Sequence, residues 1–574
     1  MTAQIRKAEP EQNASKDAAR WKRFSGTLGQ PAKPLSTEES ARAEADVKPF
    51  AAYLKALIPP DPLRSDAIIE DRWRIGHERL QLSNGAPPWS VPPPSHHFAD
   101  RVHRFDWLKD MIAHSDAGLN RACAIVDDWT EHFGQFHAFF WRLDPLTSRV
   151  WNWLLAGRHL FQTGTDAARQ SRLDALHQQI LYMQKTLHIC TDPEVLWRAG
   201  CINLAYALVQ EDQPSLKSAL KAFEALTDDQ LLADGGHISR SPQTLLLCLA
   251  DMLVLQDLLK QVNIECPEFM QKWIMRMAAM VNFFKLHDGA LAVFNNGSET
   301  RMEGVDAVLK ASGQTPRNFM FTIKSGFHKL RKEKLTLMLD CGTAPPAPYA
   351  TKAHAGPLGF EFTDGTARIV TSSGFSPEAN LEWQAASRRT IAHSTLSLSG
   401  RDAVTFKTCE TSQLLYPAGP VDLVAKRMEE ESKVWLEAQH SGFKEKYGLI
   451  HKRRLSVSAS GTCLNGEDSL VRPVASELDE DGKFIGFTLR FHLHPTVSAI
   501  KDNDKIYLRC ENNAIWRFTS SHDGLQLENA YYLGRGVPEK SKQILITGRA
   551  DPNSDGTDPS NQIQWTFERN GSVS

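Results

Sequence analysis

Apolar residues recur at i, i+3/i+4 and i+7 from about Phe105 to Phe284, and at every second position beyond about Gly313. The first spacing predicts amphipathic helices in LNRACAIVDDWTEHF, SRLDALHQQILYMQKTL, PEVLWRAGCINLAYALVQ, SPQTLLLCLADMLVLQDLLKQV and EFMQKWIMRMAAMVNFFKL. Short Pro, Asp and Gly breaks between them read as stops and caps, which makes a helical-hairpin array with no fixed repeat length. The second spacing predicts short strands in FMFTIKSG, KLTLMLDCG, LGFEFTDGTARIVTSSG, HSTLSLSGRDAVTF, KVWLEAQH, RRLSVSASG, FIGFTLRFHLHP, KIYLRCENNAIWRFTS and QILITGRA. Gly, Asn and Asp punctuate these runs as in an antiparallel sandwich. The expected class is α+β and multidomain: residues 1–48 a mobile tail, 49–310 a helical domain, 311–574 an antiparallel β-sandwich. The polar string NNGSETRMEG…ASGQTPRN (about 298–318) is the expected protease-sensitive link between the textures.

Charge changes the picture little. The 66 Lys+Arg against 68 Asp+Glu argue against nucleic acid or an anionic membrane as the main partner. The nine Cys are scattered and lack C-x-x-C spacing, which fits thiols in a reducing compartment. The opening MTAQIRKAEPEQNASKDAARWKRF has no apolar run of the kind a secretory leader needs, and no apolar stretch reads as membrane-spanning. Both point to the cytoplasm.

Specific strings narrow the reading. LIPPDPLRSD, RWRIGHERLQL, WRLDPLTSRVWNWL, DGGHISRSP, DGALAVFNNG, HAGPLGFEF, WQAASRRTIAHSTLSLSGRD and LRFHLHP follow one another between about residues 57 and 549. In this order they resemble the heparinase II/III family of polysaccharide lyases, in particular its alphaproteobacterial type. The resemblance implies an incomplete α/α toroid followed by a β-sandwich, an acidic polysaccharide or oligosaccharide as partner, and β-elimination at a uronate. That chemistry neutralises the sugar carboxylate, removes the C5 proton with a base and protonates the departing oxygen with an acid. It requires no redox or nucleotide cofactor. The family's better-known members give the periplasm or cell envelope as the alternative compartment.

Carried over residue by residue, the resemblance assigns His237 to the carboxylate-neutralising place, in an Asp-Gly-Gly-His loop ahead of a helix capped by Ser241. The acidic residue often found two positions on is Ser239 here, with Arg240 next. The acid, a Tyr in catalytic members, falls on Phe294, whose ring cannot exchange a proton; Tyr349 is the displaced substitute. Asn295 and Asn296 are expected to donate hydrogen bonds to substrate. Aligning on LGFEF puts Lys352 on the family's first His and His354 on its second, while His393 matches the other metal histidine and Thr371–Ser372 the aspartate ligand. His354 and His393 are thus weak candidates for a structural zinc or calcium site, and otherwise proton carriers or a hydrogen-bonded polar pair. Arg388 and Arg389 either line an anionic groove or form a solvated pair. His492 and His494 share a strand face that could hold a metal; Trp141, Trp151 and Trp153 either stack on sugar or pack helices; KRMEEESK (426–433) reads as an exposed segment. Three functions remain open: a lyase acting on a uronate-containing polysaccharide through His237, His354 and His393, a catalytically impaired carbohydrate-binding protein of the same fold, and a scaffold for surface-polysaccharide metabolism.

Overall fold

The computed structural model describes residues 36, 49–315, 318–409, 414–418, 422–430, 433–473, 483–556 and 558–570. The expected tail, 1–48, lies outside these apart from Ser36. Internal contacts divide the chain into two units: residues up to 230 with 247–275 and 310–312, and residues 231–246, 276–309 and 313 onward.

The first unit is helical. The periodic segments fold as Asp116–Phe133, Asp166–Thr186 and Pro193–Val209, and the same pattern continues into Pro242–Gln261 and Glu268–Phe284. Their starts follow the caps: the side chains of Ser115, Thr165 and Asp192 accept backbone N–H groups of the first turns, and Pro193 opens its helix without losing a needed donor. Leu143–Phe161 lies in the same helical stretch and is largely buried. It kinks at Gly157 (φ +54°), where a Cβ would stand 2.3 Å from the Leu54 carbonyl oxygen. Trp129 and Trp153 meet edge-on at 5.5 Å in the aromatic core. Trp141, Trp151 and Trp153 are all buried in helix packing. Pro242–Gln261 is long and apolar enough to cross a membrane by length and composition alone, but 67% of its apolar window is buried.

One carboxylate in this unit is unusual. Asp251 accepts from the indole N–H groups of Trp151 (2.9 Å) and Trp197 (3.1 Å), and burial pushes its pKa up to about 7. A native state that holds a proton the unfolded chain has released loses stability as pH rises. Each tenfold difference in proton affinity between the two states is worth about 1.4 kcal/mol, so wild-type stability in this unit is expected to fall by up to about 4 kcal/mol between pH 4 and 7. Asp251→Asn should flatten that slope, as followed by urea unfolding with tryptophan fluorescence; parallel wild-type and variant curves would refute it.

The second unit is an antiparallel β-sandwich of two eight-stranded sheets. One runs Leu423–Glu430, Lys433–His440, Ile450–Ser458, Cys463–Val471, Gln562–Asn570, Ile515–Ser520, Lys505–Arg509, Ser498–Asp502. The other runs Leu525–Tyr532, Glu539–Ala550, Ile485–Leu493, Ala367–Thr371, Phe360–Asp364, Leu335–Asp340, Phe327–Lys332, with Leu396–Leu398 added beside Ile485–Leu493. Their inward residues share one core, from Leu337 and Phe362 to Leu455, Trp516 and Trp565.

One expectation is corrected here. FMFTIKSG makes no strand of its own; only Phe321 bridges His328, and the strand begins at Phe327. KRMEEESK is exposed as expected at Lys426, Met428 and Glu429; Leu423–Glu430 forms an edge strand paired with Lys433–His440, and residues 431–432 lie outside the described residues. The link at 298–318 contains a helix, Met302–Ala311, with Val305 and Val308 buried, followed by the exposed residues Gly313, Gln314 and Thr315; residues 316–317 lie outside the described residues.

Candidate functional site

Every candidate in the 234–240, 293–299 and 352–393 segments belongs to the second unit. The loop before Pro242–Gln261 is fastened by Asp234, whose carboxylate accepts the backbone N–H groups of Gly236 (3.2 Å), Lys324 (2.8 Å) and Ser325 (2.7 Å). Gly235 sits at φ +91°, with the Arg276 carbonyl oxygen 2.4 Å from where a Cβ would be, so the tight turn needs glycine. His237 follows, buried. Its Nδ1 accepts from the Ser239 N–H (3.1 Å) and lies 2.7 Å from the Ser239 hydroxyl. A backbone N–H can only donate, so neutral His237 carries its proton on Nε2. Ser241 caps the helix as expected, accepting from Thr244 N–H at 3.3 Å.

Arg240 is committed to the fold. Held at φ +59°, it donates from Nε to the Ser325 carbonyl (2.8 Å) and from Nη1 to the Thr343 carbonyl (3.1 Å), and Nη2 pairs with Asp340. Its guanidinium also lies 4.7 Å over the Phe327 ring. Asn295 and Asn296 both take positive φ, which asparagine tolerates. Asn295 donates to the Arg240 carbonyl (3.3 Å) and accepts the His354 N–H (3.2 Å). The Asn296 N–H donates to His354 Nε2 at 3.1 Å. These two asparagines tie together the loops bearing Arg240 and His354.

That last bond fixes His354. Its Nε2 lone pair is occupied, so the neutral ring carries its proton on Nδ1, a buried atom with no partner among the described residues. The His354 and His393 rings lie 5.1 Å apart. Gly356 leaves room for His393, since a Cβ there would be 2.5 Å from the ring. Next in line, His492 donates from Nε2 to the Ile391 carbonyl at 2.9 Å. Burial, with the charge of neighbouring groups, keeps all three rings neutral: His354 well below the usual imidazole range, His393 at about 3 and His492 at about 4.

A small cavity of about 10 Å³ lies among Phe294, Asn295, His354, Glu361 and His393, which is room for about one water molecule. Phe294 lines this cavity with its ring 5.2 Å from Phe327. Glu361 is buried in the middle of the Phe360–Asp364 strand. Its carboxyl accepts the Val293 N–H at 2.5 Å, and burial pushes it up to about 7. Nothing in the spacing of FEF marks this residue, because the whole strand is buried and has no polar face. The same holds for Glu299, which accepts from His494 (2.6 Å), Tyr532 (2.7 Å) and Arg535 (3.0 Å). Burial opposes ionisation of Glu299, but these donors prevail and hold it well below the carboxylate range. His494 is thus a structural donor.

Lys352 is exposed beside this loop, and Tyr349 lies in the short turn Ala347–Ala350. Arg388 donates to the Ala353 (3.0 Å) and Leu415 (2.8 Å) carbonyls, while Arg389 pairs with Asp402. The donor set does not fit a zinc or calcium ion: no group of three His, Cys, Asp or Glu converges among the described residues. Ser372 donates its hydroxyl to the Val293 carbonyl at 3.2 Å. Purified protein is expected to hold less than one equivalent of zinc; stoichiometric metal released by His354→Ala would contradict this.

Residues 314–566 match the family described as Heparinase II/III-like, C-terminal. Heparinase III shares the fold over 97% of this chain and 89% of its own (TM-score 0.63, 13% identity). The heparan sulfate lyase HepC of Pedobacter heparinus does so over 93% and 88% (TM-score 0.55, 14% identity). FtsZ-localized protein C of Caulobacter vibrioides is 32% identical over 507 residues, 86% of each chain. With the toroid-and-sandwich lyase fold and a relative matched along most of its length, the chain belongs to the heparinase II/III family.

Proposed function

We propose that the chain is a non-eliminating member of this family that acts as a binding component localised with FtsZ, as the name of its relative from Caulobacter describes that protein. The observation that carries the loss of elimination is the state of the proton carriers. His354 has its basic lone pair occupied by the Asn296 N–H, His237 has Nδ1 occupied by Ser239, and Phe294, to which the family resemblance assigns the acid, has no proton to exchange. A base and an acid contribute about 10²–10⁴-fold each to such a reaction, and none of His237, His354 and Phe294 is poised to supply them. The alternative, β-elimination on a uronate-containing polysaccharide, would need one of these imidazoles to exchange its partner on binding. Nine free thiols support a reducing, cytoplasmic setting.

The test is direct. Incubation with a panel of uronate polysaccharides is expected to yield no unsaturated, ultraviolet-absorbing product above the blank. Product formation abolished by His354→Ala would overturn the reading and restore the lyase. A fluorescent fusion is expected to follow FtsZ and to disperse when FtsZ is depleted; a distribution indifferent to FtsZ would remove the second half of the proposal.

A further inference from the structure

The second sheet carries one more short stretch of paired chain beyond Phe327–Lys332. On either side of the Phe321–His328 bridge, the Lys329 N–H donates to the Met320 carbonyl (2.7 Å) and the Thr322 N–H to the Phe327 carbonyl (2.9 Å). In an antiparallel ladder this makes Phe321 and His328 a pair that exchanges no bonds with each other, so the N–H and C=O of Phe321 face away from the sheet. Neither has a hydrogen-bond partner among the described residues. The side chains at this edge are apolar and open: Phe321 is 49% and Ile323 79% exposed. The rings are nonetheless held in place, Phe319 stacked on Phe283 at 5.0 Å and Phe321 on His328 at 5.9 Å. A fixed edge with unmet backbone groups is what strand addition uses.

Both ends of this apolar ridge are positive. Lys324 follows Ile323, and counting along both chains from the Phe321–His328 bridge brings Arg331 level with Asn318 at the opposite end. Lys324 and Arg331 are exposed, and neither has a carboxylate partner among the described residues. The carboxylates close by are already engaged. Asp234 accepts the backbone N–H groups of Lys324 and Ser325, and Glu429 pairs with Arg427, whose Nη1 donates to the Lys329 carbonyl at 2.8 Å. Glu333, in the turn that follows the strand, is flanked by Lys332 and Lys334. Unpaired cations at both ends select an occupant with a carboxylate at each end. A second copy of the chain does not meet that demand, because two-fold pairing about Phe321 would bring each Lys324 to the Arg331 end of the other copy. A membrane surface supplies anions but no strand for the Phe321 N–H and C=O.

We propose that this edge docks an extended, acidic segment of a partner protein. The segment's main chain pairs with Phe321, its alternate apolar side chains rest on Phe321 and Ile323, and its flanking carboxylates meet Lys324 and Arg331. This holds whether or not the partner is FtsZ, so a distribution indifferent to FtsZ would leave it standing.

Fluorescence anisotropy on the full chain tests it with the labelled peptide Asp-Glu-Val-Thr-Val-Thr-Val-Glu-Asp. The peptide should bind, with affinity falling as salt rises. Phe321→Ser/Ile323→Ser should weaken it about tenfold or more through lost apolar contact. Lys324→Glu/Arg331→Glu should weaken it about tenfold, the scale of two exposed ion pairs, and should reverse the preference toward the same peptide with lysines at its ends. All four side chains are exposed, so urea unfolding of the variants should match wild type. Failure of the acidic peptide to bind, or full affinity in the Lys324→Glu/Arg331→Glu variant, would overturn the proposal. So would a dimer in sedimentation that Phe321→Ser/Ile323→Ser dissolves, which gives the edge to a second copy. Binding of phosphatidylglycerol vesicles through these residues in place of the peptide would give it to a membrane surface instead.

Discussion

Asp468→Ala is expected to destabilise the sandwich by about 4 kcal/mol, within the range of roughly 3–5 kcal/mol for breaking a buried pair from one side. Asp468 is fully buried and accepts from four donors: Arg453 Nε (2.8 Å), Arg453 Nη2 (3.2 Å), His451 Nε2 (2.6 Å) and the Trp565 indole (2.8 Å). The direction of the chain behind it can be worked out. The Gly442 N–H donates to His440 Nδ1 (3.1 Å), so His440 donates from Nε2 to His451 Nδ1 (3.1 Å), and His451 donates from Nε2 to the carboxylate. Every link depends on an anion at the end. Burial by itself would raise the pKa of Asp468, but Arg453 and His451 hold it at about 2. Because this lies below the unfolded value near 3.9, about 2.5 kcal/mol of stability is present above pH 4 and lost as pH falls from 4 toward 2. Removing the side chain also leaves the Arg453 charge buried and unpaired, which is why alanine should cost more than protonation. Asp468→Asn keeps the shape and should cost less than Asp468→Ala. Urea unfolding at pH 7 measures both, and a loss under 1 kcal/mol for alanine would show that the charge is relieved some other way.

The same contrast between local pattern and distant partner decides what could be read in the chain. Helices such as Asp116–Phe133 and Pro193–Val209 are legible because their caps act within a few residues. Leu143–Phe161 lacks such a start signal, since Arg142 precedes it with no side-chain cap. The strand Cys463–Val471 is likewise hidden: Gly466 interrupts its alternation, and only the fold shows why, with the Trp565 ring 2.1 Å from where a Cβ would stand. In the site, His237, Phe294, His354 and His393 stand in recognisable strings, but their states do not. Arg240 reads as a substrate contact until Asp340, one hundred residues on, is found beside it. Glu361 and Glu299 carry no local signal at all, and each is defined by donors from other strands and loops.

Burial of the site's histidines gives it an acid sensitivity. Between pH 6.5 and 5 the unfolded chain takes up protons on its histidines, while His393 and His492, held at about 3 and about 4, do not. The unfolded state then binds more protons, so stability is fully present above pH 6.5 and falls as pH drops below it. Each ring costs about 2 kcal/mol by pH 5, so the pair costs about 4 kcal/mol. His354 is depressed in the same direction and steepens the fall. Asp251 works with the opposite sign, gaining stability over the same interval, so the wild-type curve alone understates the effect. The difference between wild type and His393→Gln cancels Asp251. That variant is expected to lose less stability on acidification, by about 2 kcal/mol at pH 5 relative to pH 7, whatever its cost at neutral pH. An unchanged pH slope would mean that His393 becomes charged inside the fold. It would then offer a cation beside the His354 loop, and the case against carboxylate chemistry at this site would fall with it.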